Sequence, residues 1–128
     1  MGAPEVPIDV DPETGIWRSD GLPMIYLPRH FLVNNHKAVE EALGGEAYRS
    51  ILRVATDKSA FDWCTAQLSV HRMTPEQIFR HYFKRLSQRG WGMFEIERLD
   101  PESGDVSVRL EQSVFVLEHS GPPTCGLC

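Results

Sequence analysis

The chain has 128 residues, 41% of them apolar and 24% charged, which fits one globular domain with room for a real core. Its net charge of −5 argues against nucleic acid as the main partner, because phosphate binding needs an excess of Lys and Arg on one face. No stretch approaches the roughly 18 apolar residues of a membrane span, and residues 1–11 lack the apolar core of a signal peptide, so a cytoplasmic protein is expected.

Residues 1–14 carry four acids and three prolines with little periodicity, so they are expected to form a flexible N-terminal arm ahead of a single domain over residues 15–128. Ile16-Trp17-Arg18, Ser19-Asp20-Gly21 and the run from Leu22 to Leu27 then predict a small hairpin, since Asp-Gly between apolar runs is a two-residue turn signal. Pro23 confines its strand to a sheet edge. Pro28 opens a first helix that is expected to reach Leu43, with Phe31, Asn35, Ala38, Val39, Ala42 and Leu43 on its packed side and Gly44-Gly45 as its stop. A second, longer helix is expected from about Glu46 to about Leu68, built on Tyr48, Ile51, Leu52, Ala55, Phe61, Trp63 and Cys64.

The most legible stretch is residues 74–112. Thr74 and Gln77 can exchange hydrogen bonds as a capping box, Pro75 takes the first helical position where its missing N–H costs nothing, and Glu76 sits well against the helix dipole. Ile78, Phe79, Tyr82, Phe83 and Leu86 recur at helical spacing, and Gly90 ends the helix. The basic cluster between Arg80 and Arg89 reads as a solvated helix face. The period then falls to 2, with Phe94 and Ile96 alternating with Glu95 and Glu97, and Val106, Val108 and Leu110 alternating with Ser107, Arg109 and Glu111. Asp100-Pro-Glu-Ser-Gly104 supplies the turn of an antiparallel hairpin. Val114 to Leu117 reads as one further strand, before Ser120-Gly-Pro-Pro breaks regular structure. The order predicts an α+β fold, an antiparallel sheet packed by about three helices.

Catalytic motifs are absent from the sequence: there is no GxSxG, no Walker loop and no glycine-rich nucleotide fingerprint, and the five histidines show no metal-ligand spacing. Each histidine reads as a surface or capping residue, His81 on an exposed face. Cys125 and Cys128 have the two-residue spacing that lets two thiolates share a zinc ion or form a redox pair. A four-coordinate site needs two more ligands, with Cys64, Glu111 and His119 as candidates, so zinc, a redox pair and a functionless tail all stay open. Aromatic side chains are the other lead, because they exceed what a small core needs, although core packing is the plainer reading for each.

In their order along the chain, Glu13 to Trp17, Leu43-Gly44, Arg89-Gly90-Trp91-Gly92 and Ser113-Val-Phe115 resemble the 4-vinyl reductase-type domain family. The resemblance covers roughly residues 13–125, and DPETGIWRSDGLPMIYLPRHF with KRLSQRGWGMFEIE is similar to a proteobacterial subgroup whose genes lie beside dimethylglycine and betaine demethylation enzymes. It implies a 4-vinyl reductase-like α+β domain, often dimeric, that holds a small apolar or aromatic molecule between helices and sheet without catalysing a reaction. Trp63, Tyr82 and Phe94 are the expected pocket wall, since they come from elements that face one another in that fold. The resemblance also implies a structural zinc, with Cys125 where the family has a zinc cysteine and Glu111 in its glutamate position; the cysteine that should follow the glutamate is replaced by Ser113. The family's C-terminal helix is missing after Cys128, so either the domain is cut short or a partner supplies that surface.

The expected function is therefore a non-catalytic binding or accessory subunit, supporting a methylated-amine (dimethylglycine or betaine) oxidoreductase in a demethylase complex. The expected partner is that enzyme or a second copy of the chain. The alternative is a small zinc- or thiol-dependent redox protein using Cys125 and Cys128.

Overall fold

The computed structural model describes residues 2 and 5–117. Among these, the elements run β1 (Asp9–Val10), β2 (Trp17–Ser19), β3 (Leu22–Met24), α1 (Arg29–Leu43), α2 (Gly45–Val70), α3 (Pro75–Gln88), β4 (Met93–Asp100), β5 (Asp105–Glu111) and α4 (Val114–Leu117). This is a mixed α+β chain. Where one sheet was expected there are two small antiparallel ones, β1-β2-β3 and β4-β5.

The first sheet closes on the Asp20-Gly21 turn. Ser19 pairs with Leu22 across it, and Asp20 and Gly21 both carry positive φ, 52° and 76°, which is the arrangement whose twist matches that of the strands. Within the expected arm, β1 adds a third strand to this hairpin and Val6 is buried at 7% exposure, so the described part of the arm lies on its own chain. Apolar burial explains why an acidic, proline-bearing segment orders there.

The helices form close to their expected bounds but present different faces. On α1 the packed side is Val33 with His36, whose ring sits edge-on to Tyr48 at 5.6 Å and to Phe115 at 4.9 Å. Phe31 and Leu43, expected inside, are 56% and 50% exposed. A histidine occupying a core position defeats a reading based on hydrophobicity alone, because its ring packs like an aromatic while its nitrogens count as polar. On α2, Tyr48, Trp63 and Gln67 are buried, whereas Ile51 and Phe61 are 53% and 70% exposed. Every residue from Arg53 to Ser59 is exposed, so among the described residues α2 is packed towards its two ends and not along its middle.

The capping box of α3 is present: Thr74 Oγ1 accepts from the Gln77 N–H at 3.3 Å and Gln77 Oε1 accepts from the Thr74 N–H at 2.8 Å. Its apolar face meets β4 through Phe83 and Phe94, whose rings lie 5.4 Å apart. Along β4 a register shift between Ile96 and Arg98 re-phases the strand, so that Phe94, Ile96 and Leu99 are the partly buried positions. The run from Val114 to Leu117, expected as a strand, is instead one helical turn. Four apolar residues carry no period that separates strand from helix, and here the Val114 N–H donates to the Trp91 carbonyl at 2.9 Å, starting a turn rather than extending a ladder.

Gly92 is where the two ends of this C-terminal half touch. Its φ is +155°, and a Cβ built there would lie 2.6 Å from Leu110 Cδ1 and 3.0 Å from the Glu111 carbonyl oxygen. Glycine is required because both the dihedral and the space exclude a side chain. Gly92→Ala is expected to cost about 1–3 kcal/mol, read as a lowered urea midpoint at unchanged slope; an unchanged midpoint would show that the Gly92–Leu110 contact gives way freely.

Candidate functional site

The aromatic residues expected as a pocket wall come together in one run of rings, Trp63 buried and Tyr82 and Phe94 half-buried. Trp63 lies 5.2 Å from Tyr82, Tyr82 lies 5.7 Å from Phe83, and Phe83 bridges to Phe94, so four rings run from α2 through α3 to β4. Trp63 also stacks on His81 at 5.4 Å and receives the Arg89 guanidinium over its face at 5.6 Å. His81, expected on an exposed face, is therefore half-buried.

Of the expected metal ligands, Cys64 and Glu111 lie among the described residues. Cys64 sits part-buried on α2 as a free thiol, and burial pushes its pKa up, which disfavours the thiolate that metal or redox chemistry needs. Glu111 faces outward on β5 beside Arg109, 3.7 Å away. Cys125, Cys128 and His119 lie outside the described residues. No group of three or more His, Cys, Asp or Glu side chains gathers among the described residues.

A second cluster was not anticipated. The Asp20-Gly21 turn pushes the Asp20 carboxylate between two arginines of the α3 C-terminus: Arg85 Nη2 at 2.9 Å and Arg89 Nη2 at 2.7 Å. The side chains are 5%, 17% and 13% exposed, so the triad is largely out of water. Gln67, 1% exposed on α2, donates from Nε2 to the Asp20 carbonyl at 3.0 Å. The basic cluster read as a solvated face is thus split: Arg80 stays outside, paired with Glu76 at 2.8 Å, while Arg85 and Arg89 turn inward. Burial pushes the Arg89 pKa down and the nearby Asp20 charge opposes that fall. Two guanidiniums against one carboxylate leave a single positive charge.

Next to this triad lies a cleft of about 500 Å³ between the first sheet, the start of α1, the end of α3 and α4. Trp17, Tyr26 and Trp91 supply aromatic surface, and Met24, Leu27 and Leu32 supply aliphatic surface. The polar side chains lining it are Arg18, Ser19, Arg29, Gln88 and Arg89, with no aspartate or glutamate among the described lining residues. Arg29 donates to the Gln112 carbonyl at 3.3 Å, tying α1 to the end of β5. Neither Trp63, Tyr82 nor Phe94 lines this cleft. The signal for it in the sequence is the hairpin, where Trp17 and Ser19 sit on the strand that leads into the turn, but the strand's facing is set by where Asp20 is anchored, and that anchor is distant in sequence.

The two half-buried histidines are expected to make the fold acid-sensitive. Burial pushes the pKa of His36 down, and burial followed by the Arg85 charge pushes His81 down, with Asp20 opposing. Each folded pKa lies below the unfolded value of about 6.5, so the folded state binds fewer protons. Their contribution to stability is complete above about pH 6.5 and is lost as pH falls through that value toward the folded pKa. Urea midpoints are expected to drop between pH 7.5 and 5.5, with the drop reduced in His81→Gln. A flat profile in the parent protein would show that the two rings titrate as if exposed.

No described helix is long and apolar enough to cross a membrane. The architecture is that of a mixed α+β chain with a basic, aromatic cleft beside a buried ion triad. The chain belongs to the family described as Domain of unknown function (DUF5943), whose model matches residues 2–97. That span takes in the triad, Gln67 and all the cleft residues named above. No curated protein and no solved structure matches the chain.

Proposed function

We propose that this protein is a non-catalytic binding module whose cleft holds a small apolar or aromatic molecule, and that it serves as an accessory subunit to a methylated-amine (dimethylglycine or betaine) oxidoreductase. The observation that carries the binding reading is the cleft itself. Ligand sites are concave, mostly apolar, and furnished with a few polar groups; this one has about 500 Å³ and two indole rings in its wall. Nothing in its polar set makes a nucleophile with a positioned base, since Ser19 has no histidine beside it among the lining residues. The link to methylated-amine catabolism is carried by the resemblance to the 4-vinyl reductase-type subgroup.

The accessory role draws support from a second surface. Val54, Phe61 and Leu68 on α2 follow one another at seven-residue intervals and are 70%, 70% and 44% exposed, on the side away from Trp63 and Gln67. An apolar stripe of this kind on a solvated helix suits an interface. The experiment has two parts. Native mass spectrometry of protein purified from its own host should retain a small molecule or a partner chain, and Trp17→Ala should abolish the small-molecule adduct. Protein that carries neither, and is monomeric by light scattering at high concentration, sinks the proposal.

A further inference from the structure

Ser19 is 5% exposed, and its Oγ has no hydrogen-bond partner among the described residues. The same holds for the Nε of Arg89, whose Nη2 is engaged by Asp20. Buried hydroxyl and guanidinium groups are normally satisfied, and an unmet one costs stability. Ser19 and Arg89 are both among the residues that line the cleft. Together with the positive charge of the triad and Arg18 of the same lining, they form a donor set with no aspartate or glutamate among the described lining residues.

We infer that the cleft takes a small aromatic or alicyclic monocarboxylate, its acid group held by the Ser19 hydroxyl and the Arg89 guanidinium and its ring set against Trp17 and Trp91. This rests on the binding reading above and specifies its ligand class. A guanidinium offers a carboxylate donors in matching geometry. Burial of the donors makes the contact stronger than the same pair in water. A cationic ligand is disfavoured by the same charge that recruits the anion, so the molecule bound here is not a free methylammonium compound.

The test uses benzoate and 2-naphthoate against their neutral amides, with binding followed by tryptophan fluorescence and calorimetry. At least one acid should bind tenfold or more tightly than its amide, and added salt should weaken the acid alone. Ser19→Ala removes a hydroxyl without a partner among the described residues, so it should fold with an equal or higher thermal midpoint while losing severalfold affinity for the acid and none for the amide. Arg18→Gln, at an exposed strand position, should do the same without risk to the fold. Equal affinity for acid and amide overturns the anion inference and leaves the binding module standing. No binding of any of the four probes at millimolar concentration overturns both.

Discussion

Asp20→Asn is expected to cost about 3–5 kcal/mol, the range found when one partner of a buried ion pair is removed. The substitution is chosen because asparagine tolerates the left-handed conformation that Asp20 adopts at φ 52°, so the turn survives and the charge alone is deleted. What remains is two guanidiniums, on Arg85 and Arg89, largely buried with no counter-charge. The loss is a large part of a small domain's 5–15 kcal/mol. Chemical denaturation reads it directly. Replacing Arg85 by Met in the Asp20→Asn background should recover part of the loss, because it withdraws one of the two stranded cations. A cost under about 1 kcal/mol, in the range of a solvent-screened surface pair, would show that water reaches the triad.

Trp63→Ala carries the other large effect, about 3–5 kcal/mol. The indole is 7% exposed and touches His81, Tyr82 and the Arg89 guanidinium, so its removal opens a void between α2 and α3 and strips Arg89 of its aromatic face. Trp63→Phe should cost far less, about 1–2 kcal/mol, since Trp63 Nε1 has no hydrogen-bond partner among the described residues and the smaller ring forfeits only volume. Equal losses for the two variants would mean that the indole nitrogen, and not the packing, carries the stability.

The parts of the fold that could be read from the sequence are those whose cause is local. Thr74 and Gln77 are three residues apart, Asp20 and Gly21 are neighbours, and the alternation from Phe94 to Ile96 fits within one strand; each was legible because every partner needed for the inference lay within a few positions. Arg85 and Arg89 were not. On a helical wheel they belong to a basic face, and only the arrival of Asp20 from the other end of the chain turns that face inward. The core position of His36 failed for a related reason, since Tyr48 and Phe115, which accept its ring, sit on other elements. Four apolar residues from Val114 to Leu117 left strand and helix undecided, and a backbone contact to Trp91 decided it. The cleft shares this origin: its wall is assembled from both ends of the sequence, and no window of the chain contains it.

The long reach of the triad bears on the order in which the molecule assembles. The Arg89–Asp20 contact joins residues 69 apart, and Gln67 reaches Asp20 across 47. By contrast α3, β4 and β5 follow one another directly and close on short turns. Ordering a long intervening loop costs entropy before the contact returns anything, so locally connected elements gain structure first. The N-terminal hairpin is then expected to dock late, with Asp20 as its latch. A defect in the latch therefore falls mainly on the rate at which the native state opens and little on the rate at which it forms. The same latch anchors the hairpin that carries Trp17 and Ser19, so the lifetime of the cleft is expected to follow the lifetime of that docking step.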